Sequence, residues 1–364
     1  MRSEFNSYLY KVMRRISFIF PVLVSLVLAC GELYDIAKRA EEGDTVEFFA
    51  IADRGGYMVL LDANENDVRE YQVANTSAVD WGAKPLLQMA EDGSAWITFR
   101  DNGTWMWLIY RSDGRNYNYW MKRSKEFPFG CQVSAITAGR GNVYMLVEGA
   151  GVDDGFWEFT SSSARHLASF PSGKTLFYSY VDGIMYMTVD GGVSTEIQTY
   201  NFATGFHNPA YNSNAAPMFG SFFAAQYDYT FLIGFFNELA IDDNYGLTPP
   251  FPFSVPPFDL DYTIEAYVVF SNRIFAAAVN GMLPSADILY FDNNEDPPMT
   301  DFQPYHHISD EGGIEIEMER VSGRKIAVGI RFSPQKSGLH IFDHESGEMK
   351  QLSGYDVYDV SVRQ

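Results

Sequence analysis

The sequence predicts an all-β protein built from one repeated unit, and three observations lead there. Of its 364 residues, 16% are aromatic and 46% apolar, and Phe, Tyr and Trp favour strands over helices. An apolar strand ending in a polar turn recurs seven times along the chain. No segment after residue 45 keeps a long helical period.

The recurring turns read "YMVLLDANEND", "MWLIYRSDGRN", "GFWEFTSSSAR", "EIQTYNFATGF", "NELAIDDNYGL", "ADILYFDNNED" and "GLHIFDHESGE". Their last apolar residues are Leu61, Tyr110, Phe159, Tyr200, Ile241, Phe291 and Phe342, spaced by 49, 49, 41, 41, 50 and 51 residues. Short polar residues directly after them favour tight turns by bonding their own backbone. A second apolar strand precedes each: "VEFFAIA", "AWITF", "NVYMLV", "GIMYMTV", "TFLIGFF", "RIFAAAV" and "KIAVGI". Several units show another strand further upstream, such as "LLQMAED", "IEAYVVFSN" and "IEIEMERVSG". Weaker fourth strands follow in "VREYQV", "NYWMKR", "RHLASF" and "EMKQLS". A four-stranded antiparallel unit of about 47 residues is the blade of a β-propeller.

The first unit starts directly at its second strand, at Val46, and lacks an innermost one. The last strand, in "GYDVYDVSVRQ", has no unit left to join. Placing Asp356–Val362 in the first blade completes a seven-bladed ring over residues 46–364 and hides open sheet edges. A six- or eight-bladed ring and a two-sheet sandwich are the alternatives; a sandwich gives no reason for seven similar units. Blade five is irregular, because "TPPFPFSVPPF" (Thr248–Phe258) replaces a normal outer strand.

The first 29 residues have another character. Lys11, Arg14 and Arg15 precede thirteen uncharged residues, "ISFIFPVLVSLVL" (Ile16–Leu28), and then Ala29 and Cys30. A basic head, a short apolar core and a small-residue exit describe an export signal; a bilayer span needs about 20 apolar residues. "VLAC" resembles the lipobox of bacterial lipoproteins, although a residue smaller than Leu28 is usual there. The resemblance implies cleavage before Cys30 and acylation of that cysteine, hence a membrane anchor in the bacterial cell envelope. Gly31, where Asp would signal retention in enteric bacteria, implies the outer membrane. Met13 opens a compact signal of its own, which makes it an alternative start. Residues 30–45 form the expected tether, with Leu33, Ile36, Ala37 and Ala40 on one face of a short helix.

The net charge of −21 becomes −24 once residues 1–29, with four basic residues and one acid, are removed. Such a chain repels nucleic acid and anionic surfaces. With Cys30 acylated, Cys131 has no disulfide partner and is expected buried and inert.

The turns between second and third strands share one face of the ring. They bring Asp53, Asp101, Asp153, Asp154 and Asp190 to one rim, where carboxylates would bind a cation or basic partner, or act on a glycan. The competing explanation is turn chemistry alone, since Asp, Asn and Gly suit such backbones, and the opposite face is equally acidic. There "DANEND" (Asp62–Asp67) begins like a calcium loop but lacks its glycine and distal Glu. "RDNGTW" has one residue too few for the Asp-box turn of sialidases. His306 and His307 are adjacent, so a strand points them to opposite faces. No spacing marks a zinc site, and no glycine-rich loop precedes a helix. Phe251, Phe253 and Phe258 are candidates for a stiff apolar partner patch, or for packing within a connection. The architecture resembles exported bacterial β-propellers as a class.

Together these features lead to a lipid-anchored, non-catalytic binding or assembly platform with a protein partner in the envelope and no metal, cofactor or catalytic set assigned. A glycan-active enzyme and a small-molecule or cation binder are the rivals.

Overall fold

The apolar runs that the sequence marks as second strands lie inside sheets, and those of β1, β21 and β25 are buried on both faces. The computed structural model describes residues 47–362, except 78, 91–92, 113–116, 126–131, 150–153, 161–162, 170–172, 180–183, 191–194, 205, 214–222, 228–229, 236–237, 243–250, 254–261, 271–272, 281–283 and 293–301. Among the described residues the strands form seven four-stranded sheets. The first holds β1 (Phe48–Asp53), β2 (Tyr57–Ala63), β3 (Val68–Asn75) and β28 (Asp356–Val362), in the order β28-β1-β2-β3. The second holds β4 (Leu86–Met89), β5 (Ala95–Asp101), β6 (Thr104–Ser112) and β7 (Tyr117–Lys125). The third holds β8 (Gln132–Gly139), β9 (Asn142–Glu148), β10 (Gly155–Phe159) and β11 (Ala164–Ala168). The fourth holds β12 (Gly173–Ser179), β13 (Ile184–Asp190), β14 (Thr195–Asn201) and β15 (Phe206–Ser213). The fifth holds β16 (Phe223–Tyr227), β17 (Thr230–Phe235), β18 (Glu238–Asp242) and β19 (Phe251–Phe253). The sixth holds β20 (Tyr262–Phe270), β21 (Arg273–Asn280), β22 (Ser285–Asp292) and β23 (Gln303–Ser309). The seventh holds β24 (Glu315–Arg320), β25 (Lys325–Arg331), β26 (Gly338–Asp343) and β27 (Glu348–Ser353).

Neighbouring strands in these sheets run antiparallel. The first strand of each sheet touches the first strand of the next: β28 meets β4, then β8, β12, β16, β20 and β24 follow in turn, and β24 meets β28. These are the inner strands.

The hydrophobic core is divided among the interfaces between consecutive sheets. Phe49, Ile51 and Leu60 of the first sheet pack with Leu87, Ile97 and Phe99 of the second. Trp96 and Ile109 meet Val143 and Trp157 between the second and third. Tyr144 and Phe156 meet Met185 and Tyr200 between the third and fourth. Phe275 and Ile288 meet Ile316, Val328 and Phe342 between the sixth and seventh. Burying one such side chain contributes about 1.5–3 kcal/mol, so the sheets at these four interfaces depend on one another. The fit between sheets is close at Gly329 of β25, where an added Cβ would lie 2.4 Å from Val357 Cγ1 of β28.

Turn chemistry accounts for the ends. Asn102 and Gly103 join β5 to β6 with φ of 48° and 84°, the two-residue Asn-Gly hairpin that matches strand twist. In "DANEND", Asn64 Oδ1 accepts from the amides of Asn66 and Asp67 at 2.9 and 3.0 Å, a side chain closing its own turn.

The sequence expectation needs correction at the outer strands. "TPPFPFSVPPF" does not replace the outer strand of the fifth sheet; its Phe251–Phe253 is that strand, with Phe251 opposite Ile241 and Phe253 opposite Leu239. The sequence also marks no outer strand where β15 and β23 lie. These three strands contain Pro252, Pro209 and Pro304. An outer strand has one unpaired edge, so a proline there need not break the ladder.

Candidate functional site

The sequence-predicted rim residues fall where the turns between second and third strands lie. Asp53 leads out of β1, and its Oδ1 accepts from the Gly55 amide at 2.9 Å. Asp101 ends β5, and its Oδ1 accepts from Asn102 Nδ2 at 2.8 Å. The Asp154 carbonyl accepts from His166 Nε2 at 3.2 Å. Asp190 ends β13 opposite Thr195. Asp53 and Asp101 thus each engage one oxygen within their own turn. Asp153, Phe258, Cys30 and Cys131 lie outside the described residues. Among the described residues, no three His, Cys, Asp or Glu side chains are arranged to hold a metal ion.

The histidines serve local structure. His307 Nδ1 pairs with Asp287 Oδ1 at 2.8 Å, whereas the His306 ring lies 5.2 Å from that of Phe342. A polar cleft of about 450 Å³ separates β3 from β27, lined by Asp67, Glu70, Lys350 and Tyr355 among others; it is too open to enclose a small ligand.

A group that the sequence did not single out gathers on the inner strands. On β24, Glu315, Glu317 and Glu319 alternate with Ile316 and Met318. The two apolar residues pack between the sixth and seventh sheets, which turns the glutamates to the other face. Glu317 pairs with Lys84, just ahead of β4. Asp359 of β28 accepts from the Leu87 amide at 2.7 Å through Oδ2 and from its own neighbour Val360 at 3.0 Å through Oδ1. Two residues on, Ser361 Oγ accepts from the Met89 amide at 3.0 Å. Two side chains of β28 therefore satisfy backbone donors on the open edge of β4, which would otherwise be orphaned. Glu265 joins the group from β20: Ile264 and Ala266 face Ala278 and Ala277, so Glu265 is the extra residue of a bulge.

The electrostatics tie these residues together. Burial, then the charges of Asp359 and Glu317, push Glu319 up to about 8. Burial, then Glu317, raises Glu265, while Lys84 and Arg331 oppose. Burial also raises Asp359, against the pull of Lys84. For Lys84 burial acts downward, but Glu317 and Asp359 outweigh it and hold the ammonium above its ordinary value. Residues on or beside the first, second, sixth and seventh sheets thus contribute to one cluster, in which burial and like charge favour the protonated forms of Glu319, Asp359 and Glu265. The only sequence signal for it was the acid–apolar alternation of "IEIEMER".

No family model matches the sequence, and no curated protein does. Solved structures do resemble the fold, and these neighbours are β-propeller proteins. A protein from Lactobacillus plantarum aligns with a TM-score of 0.59 at 8% identity, over 88% of this chain and 100% of that one. A functionally unknown protein from Desulfotomaculum acetoxidans gives 0.56 at 8% identity, over 87% and 99%. The dihydro-heme d1 dehydrogenase NirN gives 0.52 at 14% identity, over 86% of this chain and 65% of that one. At these identities the likeness concerns the fold alone.

Proposed function

We propose that this chain is a lipid-anchored, seven-bladed β-propeller that works as a non-catalytic binding platform in the bacterial cell envelope. The seven sheets are its blades, and β28 closes the ring by completing the first. One observation carries the reading: β28 pairs with β1 from Phe48–Val362 to Asp53–Asp356, while its other side meets the inner strands of the second and seventh sheets. A frame held this way keeps side chains from distant parts of the chain in fixed relation, which is what a binding surface requires. The inner-strand cluster is consistent with that use, since its carboxylates engage backbone amides and a lysine. The order of basic head, apolar core and "LAC" before residue 31 supports export and acylation of Cys30, with residues 1–29 removed and 30–45 as tether. Gly31 supports the outer membrane.

Each part has its own test. Radiolabelled palmitate should enter the protein in bacterial cells and be lost in Cys30→Ala; persistent labelling rules out that anchor. Deleting residues 355–364 should abolish the cooperative melt, and an unchanged melt rules out closure. Crosslinking in intact cells should trap a partner on the exported chain.

A further inference from the structure

Three local irregularities meet at one end of the inner strands. The first is in β28. Ile51 faces Asp359 and Ala52 faces Val357, so Tyr358 has no partner on β1; such a bulge re-aims its side chain. The Tyr358 ring lies against Trp81, with centroids 4.5 Å apart, and beneath the Arg331 guanidinium at 4.6 Å. The second is Phe332. It is 50% exposed and has φ of 64°, a left-handed backbone that a bulky residue adopts only at a cost. Its amide donates to Asp356 Oδ1 at 3.0 Å, and Ser337 Oγ donates to the same oxygen. The loop is further fixed by the amides of Ser333 and Lys336, which donate to Ser337 Oγ at 3.0 Å and Ser333 Oγ at 2.8 Å. The third is a like-charge pair: Asp53 stands directly opposite Asp356 across the β1–β28 ladder, an unfavourable placement unless something offsets it.

We propose that the ledge formed by Phe332 and Trp81 beside Asp53 and Asp356 binds an organic cation, an ammonium or guanidinium group on an apolar stem. Aromatic faces attract such groups, and the ledge already holds one, because Arg331 lies 5.1 Å from the Phe332 centroid as well as over Tyr358. Arg331 is paired with Glu315, and nearby Arg54 with Glu70 at 2.8 Å. Among the described residues neither aspartate has an ion pair, Arg331 acting on Asp356 only from a longer range, and their side-chain hydrogen bonds all fall on Oδ1. The net charge of −21 draws cations towards the ledge and disfavours anions. The source is a free polyamine or a basic side chain of a partner protein.

The inference rests on the binding-platform reading and deepens it. Calorimetric titration of the full chain in detergent tests it with spermidine, an end-blocked Arg-Lys tetrapeptide, and maltotetraose as a neutral ring ligand. One cation should bind saturably at one site per chain, weakening with salt. Tighter binding of the tetrapeptide identifies a protein side chain as the source, and tighter binding of spermidine a polyamine. Asp53→Asn should weaken binding at least fivefold. Phe332→Gly should weaken it at least tenfold while raising the melting temperature, because glycine accepts the left-handed backbone; that opposed pair of changes separates lost contact from lost folding. Saturable binding of neither cation, preference for maltotetraose, or cation binding unchanged by both variants overturns the proposal. A chain that passes the palmitate and deletion tests but fails this one loses the ledge and keeps the anchored ring.

Discussion

The second strands and the inner strands of the same sheets solve different problems. In β1, β21 and β25 almost every residue is buried, on both faces of the sheet. In β24 and β4, buried residues alternate with half-buried ones, and the half-buried face of β24 carries Glu315, Glu317 and Glu319. The second strand is clamped by its neighbours within the sheet and by the sheets on either side, so its sequence is set by volume. The inner strand has one face against the next sheet and the other towards its counterparts, so its sequence is free to carry charge. Stability and chemistry are thereby separated by one strand spacing, about 4.8 Å.

That division ranks the effects of substitution. Phe275→Ala on β21 removes a fully buried ring that touches Phe270, Tyr290 and Phe342; urea unfolding should show a loss of about 3–5 kcal/mol. Gly329→Val improves strand propensity yet forces a Cβ against Val357, and the same assay should show a loss of about 1–3 kcal/mol. A gain in stability would mean that β28 yields more easily than the fit implies.

The inner strands should respond to pH instead. Folded Glu319 holds its proton more tightly than the unfolded chain, so its contribution falls as the pH climbs from 4.5 to about 8. His340 and His344 act in the opposite sense: burial lowers them, so stability falls as the pH drops below 6.5. Melting temperature should therefore fall towards alkali through Glu319 and Asp359 and towards acid through the two histidines. Glu319→Gln should flatten the alkaline limb, with a gain of about 1–2 kcal/mol at pH 9, less than full burial would give because the site is partly open to water. Lys84→Met should cost about 1 kcal/mol, since both partners of the Lys84–Glu317 pair are partly solvated. Asp101→Asn, in a turn, should stay within about 0.5 kcal/mol.

The same contrast explains what was legible in the sequence. Second and third strands announce themselves because burial on both faces demands unbroken apolar runs, and all seven recurring turn positions from Leu61 to Phe342 end up on third strands. The pairing of Asp356–Val362 with the first sheet was legible from a missing strand at one end and a surplus one at the other. Outer strands were legible only without proline; Pro209, Pro252 and Pro304 hid β15, β19 and β23. The inner-strand cluster was not legible, since Asp359 and Leu87 lie 272 positions apart and meet only once β28 sits beside β4. The bulge at Tyr358 was hidden too, because register is a property of the pair and not of either strand.

The pairing of β28 with β1 bears on biosynthesis. β1 leaves the ribosome about 300 residues before β28, a wait of roughly 15–60 s at ordinary translation speeds. Throughout that interval one edge of an almost wholly apolar strand lacks its native neighbour. A nascent chain so exposed stays prone to wrong pairing until β28 arrives and covers that edge.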